Sequence, residues 1–439
     1  MSKRITVIGT GYVGLVSSVG LSDFGNNVVG VDLNESIVSR LNTGEPTIYE
    51  HGIDDYLRRN LEANRLSFTT DAAGALGQST VVFLAVGTPE KEDGGADLSY
   101  IDHAARTIGE NLGGFTVVVT KSTVPVGTNR GLKTIIAEAA GHNNFAVVSN
   151  PEFLREGRAV QDFFHPDRIV IGYEADSPHA DQVRETMEDV YRPLYLISTP
   201  FVWCSLETAE LIKYASNAFL ATKITFINQM ANLAEACGAD IHAIARTMGM
   251  DGRISPKFLH PGPGYGGSCF PKDTKAVART GDEYNVEMSL IKEVITANEA
   301  QKARVVDRLE RLTGPLSGCK VAILGVTFKA ETDDVRESPA ITIVRSLLAR
   351  GAAVAVHDPK GLDNFRKYFG DSVSYHTLEF EAIADADALL IATEWNAYRN
   401  LDLARARKIM KGNFILDTRN VMDPQDAREA GFTYAGVGR

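Results

Sequence analysis

The sharpest chemistry in this chain belongs to a cysteine set in a loop almost bare of side chains. Pro261-Gly262-Pro263-Gly264-Tyr265-Gly266-Gly267 runs into Ser268-Cys269-Phe270-Pro271-Lys272-Asp273, which brings the thiol to the start of an expected helix. Backbone amide dipoles and Lys272 are expected to lower the thiol pKa there and raise the thiolate fraction, the nucleophilic form. Inert cysteines usually lie inside apolar strands or helices, so the glycine loop favours a reactive thiol. Asp273, one turn on, is expected beside it. Lys213 and Asn217, four apart in a helical stretch, share a face and can touch one ligand if that face looks into a cleft; taken alone, they read as a solvated lysine and a capping-type asparagine. Glu152 and Glu156 follow Pro151, which suits a first helical turn and puts both carboxylates on one face. They are either site carboxylates or charge that complements the helix dipole.

The elements that must carry these groups alternate between strand and helix. A continuous apolar, β-branched run at 4–8 is followed by Gly9-Thr10-Gly11-Tyr12-Val13-Gly14 and an apolar-periodic helix over 15–24. Gly9 permits the tight turn, Gly11 lets backbone approach a pyrophosphate, and Gly14 allows close helix–strand packing. A second strand ends at Asp32, eighteen residues after Gly14, where a carboxylate can accept the ribose hydroxyls of NAD. Buried strands at 79–86 and 116–120 end in Gly87-Thr88-Pro89 and Lys121-Ser122-Thr123-Val124-Pro125, and another at 145–148 runs into Asn150. In an open parallel sheet such loops, beyond the carboxyl ends of the strands, are where ligands meet. From 205 to 238 there is no proline and no internal glycine, which predicts one helix longer than about 45 Å at ~1.5 Å per residue, a strut between domains and a candidate dimer seam. After Pro315 a strand and turn ending at Gly325, and a second strand ending at Asp358, repeat the opening pattern without its further glycines, which favours a nucleotide-sugar over a dinucleotide.

Length and composition set the bounds. The 439 residues exceed roughly 150 per domain about threefold, and 44% apolar with 23% charged residues is ordinary globular usage. The net charge of −11 argues against nucleic acid or an anionic membrane as partner, so any phosphate must be met locally. No run approaches the ~18 apolar residues of a membrane span, and no leader-like apolar stretch opens the chain. The four cysteines show neither a C-x-x-C pair nor histidines at zinc spacing, so no metal and no disulfide framework is expected, and a reducing cytoplasm is the simplest home.

Taken together, the glycine turn with Tyr12-Val13, the segments 121–125 and 150–157, Lys213 to Asn217, and the segment 266–273 resemble the UDP-glucose/GDP-mannose dehydrogenase family over almost the whole chain. The Gly-Tyr-Gly-Gly-Ser-Cys-Phe-Pro-Lys-Asp form of the cysteine loop and Ala392-Thr393-Glu394-Trp395-Asn396 are most like its UDP-glucose-oxidising branch; relatives acting on UDP-N-acetylmannosamine typically carry His where this chain has Ser268. The resemblance implies an α/β fold of two Rossmann-like doubly wound domains joined by a long central helix in an all-α linker domain. The expected boundaries are 1–200 for the NAD-binding domain, 201–312 for the helical dimerisation domain and 313–439 for the UDP-sugar-binding domain.

It also implies a four-electron oxidation of UDP-glucose to UDP-glucuronate, a precursor for polysaccharides, with two NAD reduced in turn. In that scheme Lys213, Asn217, a water and Asp273 serve the first hydride transfer, Cys269 forms a thiohemiacetal and then a thioester, and Thr123, Glu152 and Glu156 position or activate the hydrolytic water. The cofactor is expected at Gly9, Gly11, Tyr12, Val13, Gly14, Asp32, Thr88, Thr123, Glu156, Lys272 and Arg336. The substrate is expected at Glu152, Phe153, Leu154, Lys213, Asn217, Phe258, Tyr265, Gly266, Lys329 and Arg419, with Arg253 entering a neighbouring subunit's site. Ile37 departs from the basic residue relatives often carry near the adenosine ribose, which bears on cofactor affinity. The other readings are a GDP-mannose or other nucleotide-sugar dehydrogenase and, less favoured, an NAD-binding sensor without catalysis.

Overall fold

The structure, a computed structural model, describes residues 2–91 and 93–439. It divides into two compact units, Met1–Ser216 and Asn217–Arg439. The first is built on eight strands: β1 Arg4–Ile8, β2 Asn27–Val31, β3 Leu66–Thr69, β4 Val81–Leu84, β5 Thr116–Thr120, β6 Phe145–Ser149, β7 Ile169–Gly172 and β8 Phe201–Cys204. They lie in the order β3-β2-β1-β4-β5-β6-β7-β8. Neighbours are parallel except β6 and β7, where Ser149 faces Gly172 across an antiparallel link. The first six strands have the doubly wound dinucleotide-binding order, which opens a crevice beyond the carboxyl ends of β1 and β4.

Why these segments are strands is visible in how their side chains divide. Val81, Phe83, Val117 and Val119 enter one core, while their alternate neighbours Val82, Leu84 and Val118 enter another on the opposite face. A strand buried on both faces has no polar side to show, so it reads as an unbroken apolar run.

The second unit repeats the plan. Strands β9 Lys320–Leu324, β10 Ala353–His357, β11 Ser374–His376, β12 Ala388–Ile391, β13 Phe414–Asp417 and β14 Thr433–Gly436 form one parallel sheet in the order β11-β10-β9-β12-β13-β14. Val321 and Ile323 face one core, Ala322 and Leu324 the other. Along the chain, one α/β sheet, a long helix and a second α/β sheet follow in the order that the sequence leads one to expect.

That helix is Leu206–Cys237, 32 residues long. It ends where Gly238 takes φ +76° and the Ala239 N–H reaches back to the Ala234 carbonyl at 2.9 Å, a Schellman closure. Helices Ile241–Gly249, Phe270–Glu283 and Ser289–Thr313 follow before β9. Among the described residues no helix is long and apolar enough to cross a membrane.

Candidate active site

In the first unit the glycine turn joins β1 to the helix Tyr12–Asp23. Gly9 sits at φ +90° and donates its N–H to the Val31 carbonyl at 2.8 Å, locking β1 to β2. A Cβ on Gly14 would lie 1.8 Å from the Gly9 carbonyl oxygen, so only glycine fits. Around Gly11 the space is open: an added Cβ would meet no atom within 4 Å. No side chain caps this helix, which leaves its first amides, those of Tyr12 and Val13 among them, for an anion. Half-buried Asp32 accepts from the Thr10 amide at 3.1 Å and hydroxyl at 2.7 Å through Oδ2, and from the Asn34 amide at 3.0 Å through Oδ1. An uncapped helix, an open glycine and a partly exposed carboxylate fit the pyrophosphate and ribose of NAD.

The loops beyond β4 and β5 are tied together. The Thr88 hydroxyl donates to the Thr123 carbonyl at 3.0 Å and the Ser122 hydroxyl to the Val86 carbonyl at 2.7 Å. Beyond β6, Glu152 is buried; its Oε1 accepts from Lys213 Nζ at 2.8 Å and its Oε2 from the Leu154 amide. Burial would raise this carboxyl, but the Lys213 charge and hydrogen bond, the Leu154 amide and Lys121 outweigh it and hold it below its ordinary value. The Phe153 ring is flanked by Arg168 at 3.7 Å and Lys213 at 5.4 Å from its centroid.

The expected helical turn after Pro151 does not form; residues 150–155 are irregular and the helix begins only at Ala159. Glu152 and Glu156 therefore do not share a helix face. The physical reason is that side chains answer the amides a helix would have used. Glu152 takes the Leu154 N–H, Asp162 takes the Arg155 N–H at 2.9 Å, and the Gly157 N–H goes to Glu50 at 2.8 Å and to the Tyr12 phenol at 3.0 Å. Tyr12 also donates to Glu50, so the turn holding Glu156 is pinned to the first residue of the glycine-turn helix. Burial, with Glu50 next, drives the Tyr12 phenol far above its ordinary value.

In the second unit Cys269 is the N-cap of helix Phe270–Glu283, half-buried, with Ser268 Oγ 3.6 Å from its Sγ. Asp273, whose N–H closes the first turn onto the Cys269 carbonyl at 2.8 Å, is buried and accepts from Asn217 Nδ2 at 2.6 Å and from Lys272 Nζ at 2.7 Å. The Lys272 ammonium thus sits on Asp273. Tyr265 anchors the loop by exchanging backbone hydrogen bonds with the Asn298 side chain at 2.8 and 3.1 Å, and burial pushes its phenol up to about 12. A Cβ on Gly266 would lie 2.2 Å from the Glu337 carbonyl oxygen, and the Gly267 N–H donates to the Arg336 carbonyl at 2.9 Å. The loop is bare of side chains because the 328–337 segment packs against it.

The remaining expected contacts fall differently. Arg419 braces that segment, donating to the Phe328 carbonyl at 2.8 Å and the Ala392 carbonyl at 2.9 Å and pairing with Glu394 at 3.2 Å. Lys329 lies 5.5 Å from the Phe328 ring centroid. Phe258, at φ +64°, packs 6.1 Å from Phe270. Arg336 forks onto Asp334 and Arg253 onto Asp251, and the Arg253 side chain is 90% exposed. Two groups escaped the sequence reading. Glu50 carries no local pattern, whereas Lys121, a charge that ends the apolar run of β5, was visible but given no role.

An uncapped glycine turn on one doubly wound sheet, a second sheet that repeats the order of its first six strands, and a half-buried thiol at a helix start define a nucleotide-dependent oxidoreductase. Comparison with known proteins makes this specific. Residues 3–195 match the NAD binding domain of the UDP-glucose/GDP-mannose dehydrogenase family, 207–300 its central domain and 322–424 its UDP binding domain. The chain belongs to that family, and NAD is its cofactor. It is 49% identical to UDP-glucose 6-dehydrogenase of Rhizobium meliloti over 99% of each chain. To UDP-glucose 6-dehydrogenase TuaD of Bacillus subtilis it is 42% identical, over 100% of this chain and 93% of the relative. The solved UDP-glucose dehydrogenase of Pyrobaculum islandicum superposes with a TM-score of 0.92 at 43% identity, over 100% of this chain and 98% of that one.

Proposed function

We propose that this enzyme oxidises UDP-glucose to UDP-glucuronate in two successive hydride transfers, with Cys269 carrying the intermediate. The observation that carries the reading is Cys269 at an uncapped helix start, one turn from Asp273 and its partners Asn217 and Lys272. NAD, held at the glycine turn, supplies the hydride acceptor twice. In the first step a water activated by Asp273 removes the C6 hydroxyl proton, and Lys213 with Asn217 stabilises the alkoxide. An aldehyde has no hydride to give until it becomes tetrahedral, so the Cys269 thiolate adds to it and the thiohemiacetal is oxidised to a thioester. Glu152, kept ionised by Lys213, is suited with Glu156 and Thr123 to deliver the water that releases UDP-glucuronate and the thiolate. Lys329 and Arg419 serve the UDP-sugar, and Arg336 the cofactor.

The test is stoichiometric. Two NADH per UDP-glucose is the expected yield, with Cys269→Ser lowering steady-state turnover by at least about a thousandfold. One NADH per sugar would leave a simple alcohol dehydrogenase, and NAD binding without oxidation would leave a sensor. Parallel assays with UDP-galactose and GDP-mannose set the substrate preference.

The same reading assigns 201–312 to a helical dimerisation segment. Phe219, Phe226 and Leu233, seven apart on the long helix, are 65%, 43% and 58% exposed, the spacing of a two-helix seam. Its occupant is a second copy of this chain. Sedimentation should show a dimer that Phe226→Glu converts to monomer; a wild-type monomer at micromolar concentration removes the assignment.

A further inference from the structure

Lys121 follows the five buried residues of β5 and is itself only 7% exposed. Its ammonium donates to Asn150 Oδ1 at 3.2 Å and to the Tyr191 hydroxyl at 3.4 Å, both neutral. The cage is fixed: Tyr191 also donates to Asn150 Oδ1 at 2.6 Å, and Asn150 Nδ2 donates to the Val170 carbonyl at 2.7 Å. Among the described residues no carboxylate stands within ion-pair distance of it. A buried cation without a carboxylate is costly, and an unbranched apolar side chain of the same length would fill this space without that cost. The fold alone does not call for a charge here.

The neighbouring charges show what it adds. Glu152 is paired with Lys213 at 2.8 Å, so it cancels one cation, and Lys121 feels both of them. Lys121 therefore adds one positive charge beside that pair. Without Lys121 the Lys213–Glu152 pair would be neutral overall. In the reaction proposed above, negative charge develops on the sugar oxygen twice, as an alkoxide and as a thiohemiacetal oxyanion. Excess positive charge held in a dry interior stabilises both, and a neutral pair does so far less.

We propose that Lys121 is a positioning residue of the reaction: a buried cation that acts through Lys213 and Glu152 and adds to them a positive charge that favours the developing oxyanion. This rests on the functional reading above. The titratable groups facing it are Glu152 in the loop after β6, Lys213 on the long helix and Tyr191 at the end of helix Ala180–Val190, whose phenol burial drives well above its ordinary value and keeps neutral.

The experiment is kcat against pH for the full chain and for Lys121→Met, at saturating UDP-glucose and NAD. At neutral pH the variant is expected about tenfold or more slower, with KM for UDP-glucose within about threefold. Burial pushes the Lys121 ammonium down to about 8, so wild type loses this charge as pH rises through that value. The ratio of the two rates should therefore shrink toward one on the alkaline side. A structural role would leave the ratio independent of pH, and that result overturns the proposal. Tyr191→Phe keeps the cation but removes an acceptor, so the alkaline fall in its rate should move to lower pH. If Lys121→Met does not fold, by its circular dichroism melt, Tyr191→Phe decides: a fall at the wild-type pH overturns the proposal. A wild type that makes no NADH from UDP-glucose removes the functional reading and this one with it, whereas an active wild type with a constant ratio removes this one alone.

Discussion

The two sheets of this molecule start alike and end differently. In both, the first strand closes on a glycine in the left-handed region, Gly9 at φ +90° and Gly325 at φ +93°, whose N–H reaches the end of the second strand at 2.8 Å. In both, the residue after that second strand is aspartate. From there they part. Asp32 is half-exposed and, among the described residues, takes only the Thr10 amide and hydroxyl and the Asn34 amide. Asp358 is 3% exposed, and its Oδ2 takes the Val326 amide at 2.7 Å, the Thr327 amide and hydroxyl at 3.1 Å each and the Trp395 indole at 3.2 Å. Its Oδ1 takes the Lys360 amide at 2.9 Å and the Gly361 amide at 2.8 Å. The first helix starts uncapped at Tyr12, while the helix of the second sheet starts only at Pro339 with Ser338 as its cap. Strand order sets where a ligand can lie; the hydrogen bonds already taken by the acid decide whether that position can read one.

Exchanging each aspartate for asparagine should separate the two roles. Asp358→Asn places an amide N–H₂ among donors, leaving buried groups unpaired, and should cost about 2–4 kcal/mol in thermal or denaturant unfolding. NAD affinity, by fluorescence titration, should stay within about twofold. Asp32→Asn should cost no more than about 1 kcal/mol of stability, because solvent reaches the site, but should weaken NAD on the order of tenfold through loss of a charge-assisted bond. Asp358→Asn weakening NAD, or Asp32→Asn sparing it, would break the comparison.

Sequence made the glycine turn and the leading strands of both sheets legible because each rests on local signals: apolar runs, glycine spacing, an acid at a strand end. What differs between the aspartates was not legible, since Trp395 reaches Asp358 from 37 residues away. The same holds for the stretch around Glu152 and Glu156. Its amides are answered by Asp162, Tyr12 and Glu50, the last 107 residues from Gly157, so the proline signal for a helix lost to contacts that only the folded chain brings together. Lys121 shows the intermediate case: its charge stands out after β5, but the neutral cage comes from Asn150 and Tyr191.

The smallest expected effect bears most directly on why the first site stays open. Gly11 has φ −65° and ψ −166°, extended backbone that any residue adopts, with free space where a side chain would begin. Two residues after Gly325, the corresponding place holds Thr327, whose hydroxyl and amide both bond Asp358. Gly11→Ala adds a methyl with no such bond, so the melting temperature should be unchanged or slightly raised, since alanine restricts the unfolded chain. The methyl nevertheless stands where backbone must approach a pyrophosphate, and NAD should weaken about fivefold. Unchanged affinity at unchanged stability would show that the empty side of Gly11 does not keep the first sheet open, and would leave the hydrogen bonding of Asp32 alone to account for the difference.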